Sequence, residues 1–263
     1  MFSICPKKFS SALNATLACT ILSLGVGTAE ADDEDIDAVL KTFGKSAITQ
    51  TSETAKIETV ADFISSDTGK RTFLIVDGDD SGKIMPFDVV QKKGDKDTHF
   101  VHMGNGDIAT VLYVKSSVYR SQQVDSDSGS IAVFEPAEPV FLSSQPSGST
   151  VDSKIKVKVA PVSSPTEVSH QGELRCSYEV LGTFQVVSPA GKFETVCVRT
   201  RYRGKIGPAD VDDSRYIFYA KKFGPVAIRT FNHVEAMIFY NKVKQKSLLL
   251  NSCDLVSNDA AHE

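Results

Sequence analysis

What the chain lacks narrows it first. Beyond its first thirty-one residues it has no apolar run approaching the ~20 residues that a membrane-spanning helix needs. It has no Gly-x-Ser-x-Gly elbow, no phosphate-cradling glycine loop and no dinucleotide fingerprint. No βαβ alternation is legible, which excludes a doubly wound parallel sheet. Cysteine is scarce, at five in 263 residues, and no close Cys-x-x-Cys spacing offers a zinc site. Basic excess is absent too. The formal charge of −4 argues against nucleic acid as a partner.

What is present begins with the N-terminus. Lys7 and Lys8 form a basic segment, Leu13 to Val26 is apolar-rich and uncharged, and Ala29-Glu30-Ala31 is a small-x-small cleavage signature. This pattern predicts a secretory leader over 1–31 and a mature chain starting at Asp32, periplasmic or secreted, with no transmembrane anchor after processing. Lipidation at Cys19 is the alternative, but Thr16 stands where a lipobox requires an aliphatic residue. Losing Lys7, Lys8 and Glu30 with the leader makes the remaining chain one charge more acidic.

Asp35 to Phe43 reads as a short helix, because Ile36, Val39, Leu40 and Phe43 fall at helical spacing and aspartates crowd the first turn. Thr59 to Ile64 reads as a second helical piece. The pattern then turns to strands: Arg71 to Val76, Thr98 to His102, Ile108 to Val114 and Ile131 to Phe134, separated by turn clusters. Residues 135–169, rich in proline and serine, read as a connection holding one alternating strand, Ile155 to Val159. The C-terminal part is the most regular. Glu173 to Val187 and Phe193 to Arg203 flank a turn at Gly191, followed by Ser214 to Ala220, Val226 to Phe231, Glu235 to Asn241 and Ser247 to Ser252. Turns are expected at Gly207-Pro208, Phe223 to Pro225 and Asn232-His233. The expected fold is mainly β: a curved or partly closed antiparallel meander of one or two sheets with short N-terminal helical segments. The expected divisions are a leader at 1–31, a β-rich part at 32–134, the connection at 135–169, the meander at 170–256 and a tail at 257–263.

Three cysteines follow the leader: Cys176, Cys197 and Cys253. In an oxidising compartment they suggest one disulfide and one spare thiol. With a turn at Gly191, Cys197 falls opposite Gly182 or Thr183, which leaves Cys176 ~20 Å away. A disulfide needs Cα atoms within ~7 Å, so the pairing expected is one that uses Cys253.

Gly172, Tyr178, Val180 and Gly182 are followed by Val186, Pro189, Ala190, Gly191, Phe193 and Val198, and then by Tyr216 to Ala220 and Gly224. On these residues the segment 172–229 resembles a broad group of exported bacterial envelope proteins of unknown function that share a Pro-Ala-Gly-x-Phe hairpin. The resemblance implies curved antiparallel sheets and an envelope location, and it carries no catalytic residues. The chain departs from the group at Lys222-Phe223-Gly224-Pro225, where those proteins often read Gly-Val-Gly.

Several constellations bear on chemistry. Asp77, Asp79, Ser81 and Asp88 stand at positions 1, 3, 5 and 12 of a calcium-loop spacing with Gly82 at position 6. Against Ca²⁺ stand the short aspartate at position 12 and a β-like entering segment, which suit an acidic hairpin turn instead. Arg199, Arg201 and Arg203 alternate along one strand face, where they would bind an anion or simply face solvent. His99 and His102, three apart on a strand, point to opposite faces, and so do Ser153 and Lys156. The function expected is an exported β protein with a non-catalytic, envelope-associated binding or structural role. Its concave sheet would take a hydrophobic or amphipathic ligand, with no cofactor beyond Ca²⁺. The alternatives are a calcium-binding exported module and a hydrolase with an unrecognised site, such as a Cys197–histidine pair.

Overall fold

β-Branched and aromatic residues alternate with polar ones through most of the chain, and this period-two pattern builds strands nearly end to end. The computed structural model describes residues 36–55, 63–64, 68–236 and 240–256. The leader, the tail and most of the expected helical piece at Thr59 to Ile64 lie outside them. One helix, α1 (Ile36–Thr42), precedes β1 (Ile48–Ser52). Then follow β2 (Thr68–Asp77), β3 (Ile84–Lys92), β4 (Asp95–Met103), β5 (Ile108–Val114), β6 (Ser117–Asp125), β7 (Ser130–Phe141) and β8 (Thr150–Pro161). The C-terminal set is β9 (His170–Ser188), β10 (Gly191–Ile206), β11 (Ala209–Ala220), β12 (Gly224–Ala236) and β13 (Tyr240–Val256).

From β2 onward each strand pairs antiparallel with the next, and β13 pairs with β2 to close the ring. The result is an up-and-down barrel of twelve strands, which leaves no open edge in the ring. β1 adds to the C-terminal stretch of β9, past the point where β8 leaves it. A bulge at Leu181 and Gly182 marks that point. A Cβ on Gly182 would stand 2.4 Å from the Ser52 carbonyl oxygen, so glycine is what lets β1 approach.

β10 shows how one strand divides its faces. Val196, Val198, Thr200 and Tyr202 are buried in the lumen. On the opposite face, Phe193, Thr195 and Cys197 are also buried, because α1 and β1 cover that part of the outer wall. Val39 of the helix and Phe43 just past its end join Phe184, Val186 and Phe218 in this external core, with Phe43 edge-on to Phe218 at 5.8 Å. Further along β10 the outer face meets water. Cross-strand ion pairs step over the wall from β7 to β11: Lys158–Glu135 at 2.9 Å, Arg175–Asp152 at 2.8 Å, Lys154–Glu173 at 3.0 Å, Arg199–Glu179 at 2.5 Å and Arg201–Asp212 at 3.3 Å. A lipid-facing barrel wall would carry an apolar band at this level.

The structure extends the expected meander to full closure. Residues 135–169 are no mere connection: Glu135 to Phe141 continues β7, and Thr150 to Pro161 forms β8. The turn expected at Asn232-His233 is absent, and β12 runs straight through it, because Asn232 pairs in register with Asp213. The strands before and after residues 135–169 belong to the same ring. The register of the β9–β10 hairpin is as expected, with Cys197 opposite Gly182. The expected disulfide through Cys253 is not formed. Cys176, Cys197 and Cys253 are all free: Cys176 packs with Leu174 and Tyr202, and Cys197 and Cys253 stand on β10 and β13, which are not neighbours in the sheet.

Candidate functional site

The lumen holds a charged bridge between opposite walls. Glu138 on β7 is 1% exposed and pairs with the Arg120 guanidinium on neighbouring β6. Across the lumen it meets Arg215 of β11, with Nη1 at 3.6 Å. Arg120 also donates to Gln123 Oε1 at 2.9 Å and lies over the Phe134 ring at 5.1 Å. Arg215 lies 5.9 Å from the Tyr202 ring centroid. Burial works against the Arg215 charge, but Tyr202, Glu138 and Asp213 around it outweigh that effect and keep its pKa raised.

Asp213 completes the cluster on β11. It accepts from Asn232 Nδ2 at 3.2 Å and from the His233 backbone N–H at 3.1 Å. Burial pushes its carboxyl up to about 6, against the opposing pull of Arg215, the two hydrogen bonds and Arg120. The Cys176 thiol sits by Ser153, Tyr202 and Glu138, and burial lifts it to about 12. A thiol held there is protonated at neutral pH and is no nucleophile. Burial likewise lifts Cys197 well above its ordinary value.

Beside this cluster the lumen is packed apolar. Phe141 and Leu142, at the end of β7, cross to Tyr178, Val180, Val196, Val198 and Tyr219 on the far wall. Phe141 meets the Tyr219 ring at 4.5 Å. The Tyr219 hydroxyl donates to the Val140 carbonyl at 3.3 Å, and the Leu142 N–H donates to the Tyr178 hydroxyl at 3.0 Å. Between β6–β7 and β9–β11 the lumen is therefore filled by the chain itself. Two open depressions of about 580 and 590 Å³ lie on the outside, one at Lys70, Asp88 and Val90, the other between α1 and β1.

The structure scatters the calcium-loop residues. Asp77, at the end of β2, accepts from Arg229 Nη1 at 2.7 Å. Arg229 is 2% exposed and also donates to Gln245 Oε1 at 2.8 Å and to Ser247 Oγ at 3.4 Å. Ser247 in turn meets Thr42 of α1 at 2.7 Å, so Asp77 belongs to a knot that fastens the helix. Ser81 donates to the Val76 carbonyl, and Lys83 takes Asp80 at 2.8 Å. Asp79 stays in the exposed turn, and Asp88 lies well along β3, opposite Lys70. Among the described residues, no group of three or more His, Cys, Asp or Glu is placed to hold a metal ion.

The arginine row is engaged by carboxylates of the neighbouring strands. Arg199 is held by Glu179, while Arg201 and Arg203 share Asp212, at 3.3 and 3.4 Å. His99 is buried against Tyr113 and His102 is exposed, on opposite faces of β4. Ser153 faces the lumen cluster and Lys156 faces solvent. Glu138, Arg120, Arg215 and Arg229 were not singled out by their sequence setting. Glu138 alone carries a signal, as an acid between two prolines in an otherwise apolar strand end.

No family model matches the chain, and no curated protein matches it. Two solved structures are similar in part. One is a candidate exported protein with a YmcC-like fold from Bacteroides fragilis, 13% identical, with a TM-score of 0.37 over 72% of this chain and 94% of that one. The other is a candidate lipoprotein from Parabacteroides distasonis, 9% identical, with a TM-score of 0.37 over 76% of this chain and 100% of that one.

Proposed function

We propose that the protein is exported and has a non-catalytic, envelope-associated binding or structural role, making its contacts through its outer surface. The observation that carries this reading is the self-filled lumen. An amphipathic ligand inside the barrel would have to displace the Arg120–Glu138–Arg215 bridge and the Phe141, Leu142, Tyr178 and Tyr219 packing together. Breaking a buried ion pair costs ~3–5 kcal/mol before any aromatic contact is lost. The three-part leader supports export, and the ion pairs across β7 to β11 support an aqueous surround.

Two measurements test it. Fractionation of cells expressing the full chain should recover a product beginning at Asp32 with periplasmic or extracellular markers. That product should show no saturable uptake of the apolar fluorophore N-phenyl-1-naphthylamine. A cytosolic product that retains its leader overturns the export half. Stoichiometric dye binding displaced by a fatty acid overturns the surface half.

A further inference from the structure

The wall of β4 to β7 turns two uncharged rows of side chains outward. In one row Ile108 pairs with Val124, and Val124 with Ile131. In the other Phe100 pairs with Thr110, Thr110 with Gln122 and Gln122 with Val133, and Val90 extends the row onto β3. The register fixes their direction. Val133 stands opposite Lys158, which meets Glu135 in solvent, while Ala132 and Phe134 on either side of it pack into the lumen. Val111, next to Thr110, packs into the lumen as well. None of the eight outward side chains carries a charge. Charged residues return only at the flanks, with Asp88 and His102 on one side and Glu135 and Lys158 on the other.

An antiparallel wall with one wet face alternates apolar and polar residues, as β8 does with its lysines. β5, reading Ile-Ala-Thr-Val-Leu-Tyr-Val, is apolar on both faces except for Thr110. Its outward residues are half-buried by their neighbours, and Val90 is 42% exposed. With strands ~4.8 Å apart and ~3.3 Å per residue, the sector from β3 to β7 along the length of β5 offers about 500 Å². That lies within the range of the functional apolar patches of soluble proteins.

We propose that this wall pairs with the same wall of a second copy of the chain. A two-fold contact sets a surface against itself, so any charge on it would meet its like, and this sector has none. Two copies would bury about 1,000 Å² together, which is the lower bound of a specific interface and gives a weak dimer. The polar pair at the centre favours protein over lipid as the occupant. Thr110 and Gln122 are cross-strand partners in the middle of the second row. A two-fold axis beside them brings the Gln122 amide of each copy to the hydroxyl or amide of the other, whereas hydrocarbon offers those groups nothing. The proposal rests on the reading that the outer surface makes the contacts, and it names one partner of that surface.

The experiment is analytical ultracentrifugation of the exported, processed protein from about 1 to 200 μM, a range that brackets a weak dimer. A monomer–dimer equilibrium is expected. Thr110→Glu sets like charges across the two-fold and should weaken the dimer about tenfold or more. Thr110→Lys should do the same, and an equimolar mixture of the two variants should dimerise again. That recovery needs both variants folded, so it separates a lost contact from a lost fold. Val90→Glu, at a position already exposed, should weaken the dimer in the same direction. Ser177→Glu, an outward change on β9 in the ion-paired wall, should leave it unaltered. A product that stays monomeric throughout overturns the proposal, and it leaves the surface reading standing if the lumen still takes up no dye. A dimer indifferent to Thr110→Glu and Val90→Glu also overturns it, as does a mixture that fails to recover or an equal loss with Ser177→Glu.

Discussion

Replacing Glu138 by glutamine keeps the side-chain shape and removes the one charge that Arg120 and Arg215 share. Both guanidiniums then sit in the lumen with their nearest counter-charge gone, leaving Asp213 as the remaining carboxylate in the cluster. Uncompensated buried charge costs ~3–5 kcal/mol in well-enclosed sites. Here the arginine side chains retain 13% and 24% exposure, so water offsets part of that cost. A loss of ~2–3 kcal/mol is therefore expected, which for a domain of this size lowers the melting midpoint by ~4–12 °C. Urea unfolding followed by tyrosine fluorescence reads the change, with an unaltered slope showing that the folded barrel is otherwise intact. The double variant Glu138→Gln with Arg215→Met should recover part of the loss, because it removes one of the two stranded charges, and the cycle should give a coupling of ~1–3 kcal/mol. A single-variant loss below ~0.5 kcal/mol would refute the reasoning, since an exposed, solvent-screened ion pair gives values of that order.

Three further outcomes follow from the same geometry. Asp213, raised to about 6 in the fold against 3.8 in the open chain, binds a proton more readily when folded. Its contribution therefore makes the protein more stable as pH falls from 7 through 6 towards 4, and Asp213→Asn should abolish that gain in melts at paired pH values. Under native conditions a thiol reagent should label Cys253, which is partly exposed, and spare buried Cys176 and Cys197 until the chain unfolds. An intramolecular disulfide found by mass would contradict this. Calcium or EDTA should leave the melting midpoint unchanged, because Arg229 already holds Asp77, whereas Arg229→Met should lower it by ~3 kcal/mol equivalent. A rise in the midpoint with calcium would restore the metal reading.

The local patterns were readable without coordinates wherever one face of a strand is wet. Ile155, Val157 and Val159 alternate with lysines, and the Pro189-Ala190 turn places Cys197 against Gly182 as its spacing requires. β3 and β6 were not legible, because Pro86 and the polar run Arg120 to Gln123 break the alternation while still pairing in the ring. The strand through Asn232 and His233 resembled a turn by composition alone; the Asn232 side-chain amide and the His233 backbone N–H both donate to Asp213 on the neighbouring strand, which no local window contains.

The linear chain determined the antiparallel class and the strand-and-turn rhythm, since these depend on neighbours a few residues apart and on an alternating up-and-down path. Tertiary structure alone decided closure, because the pairing of β13 with β2 joins residues about 180 positions apart. It also decided that Glu138 would meet Arg215 and that Asp77 would meet Arg229. A charge in a sequence carries no address for its partner; only the fold brings two distant side chains within a few ångströms and excludes the water that would otherwise satisfy them.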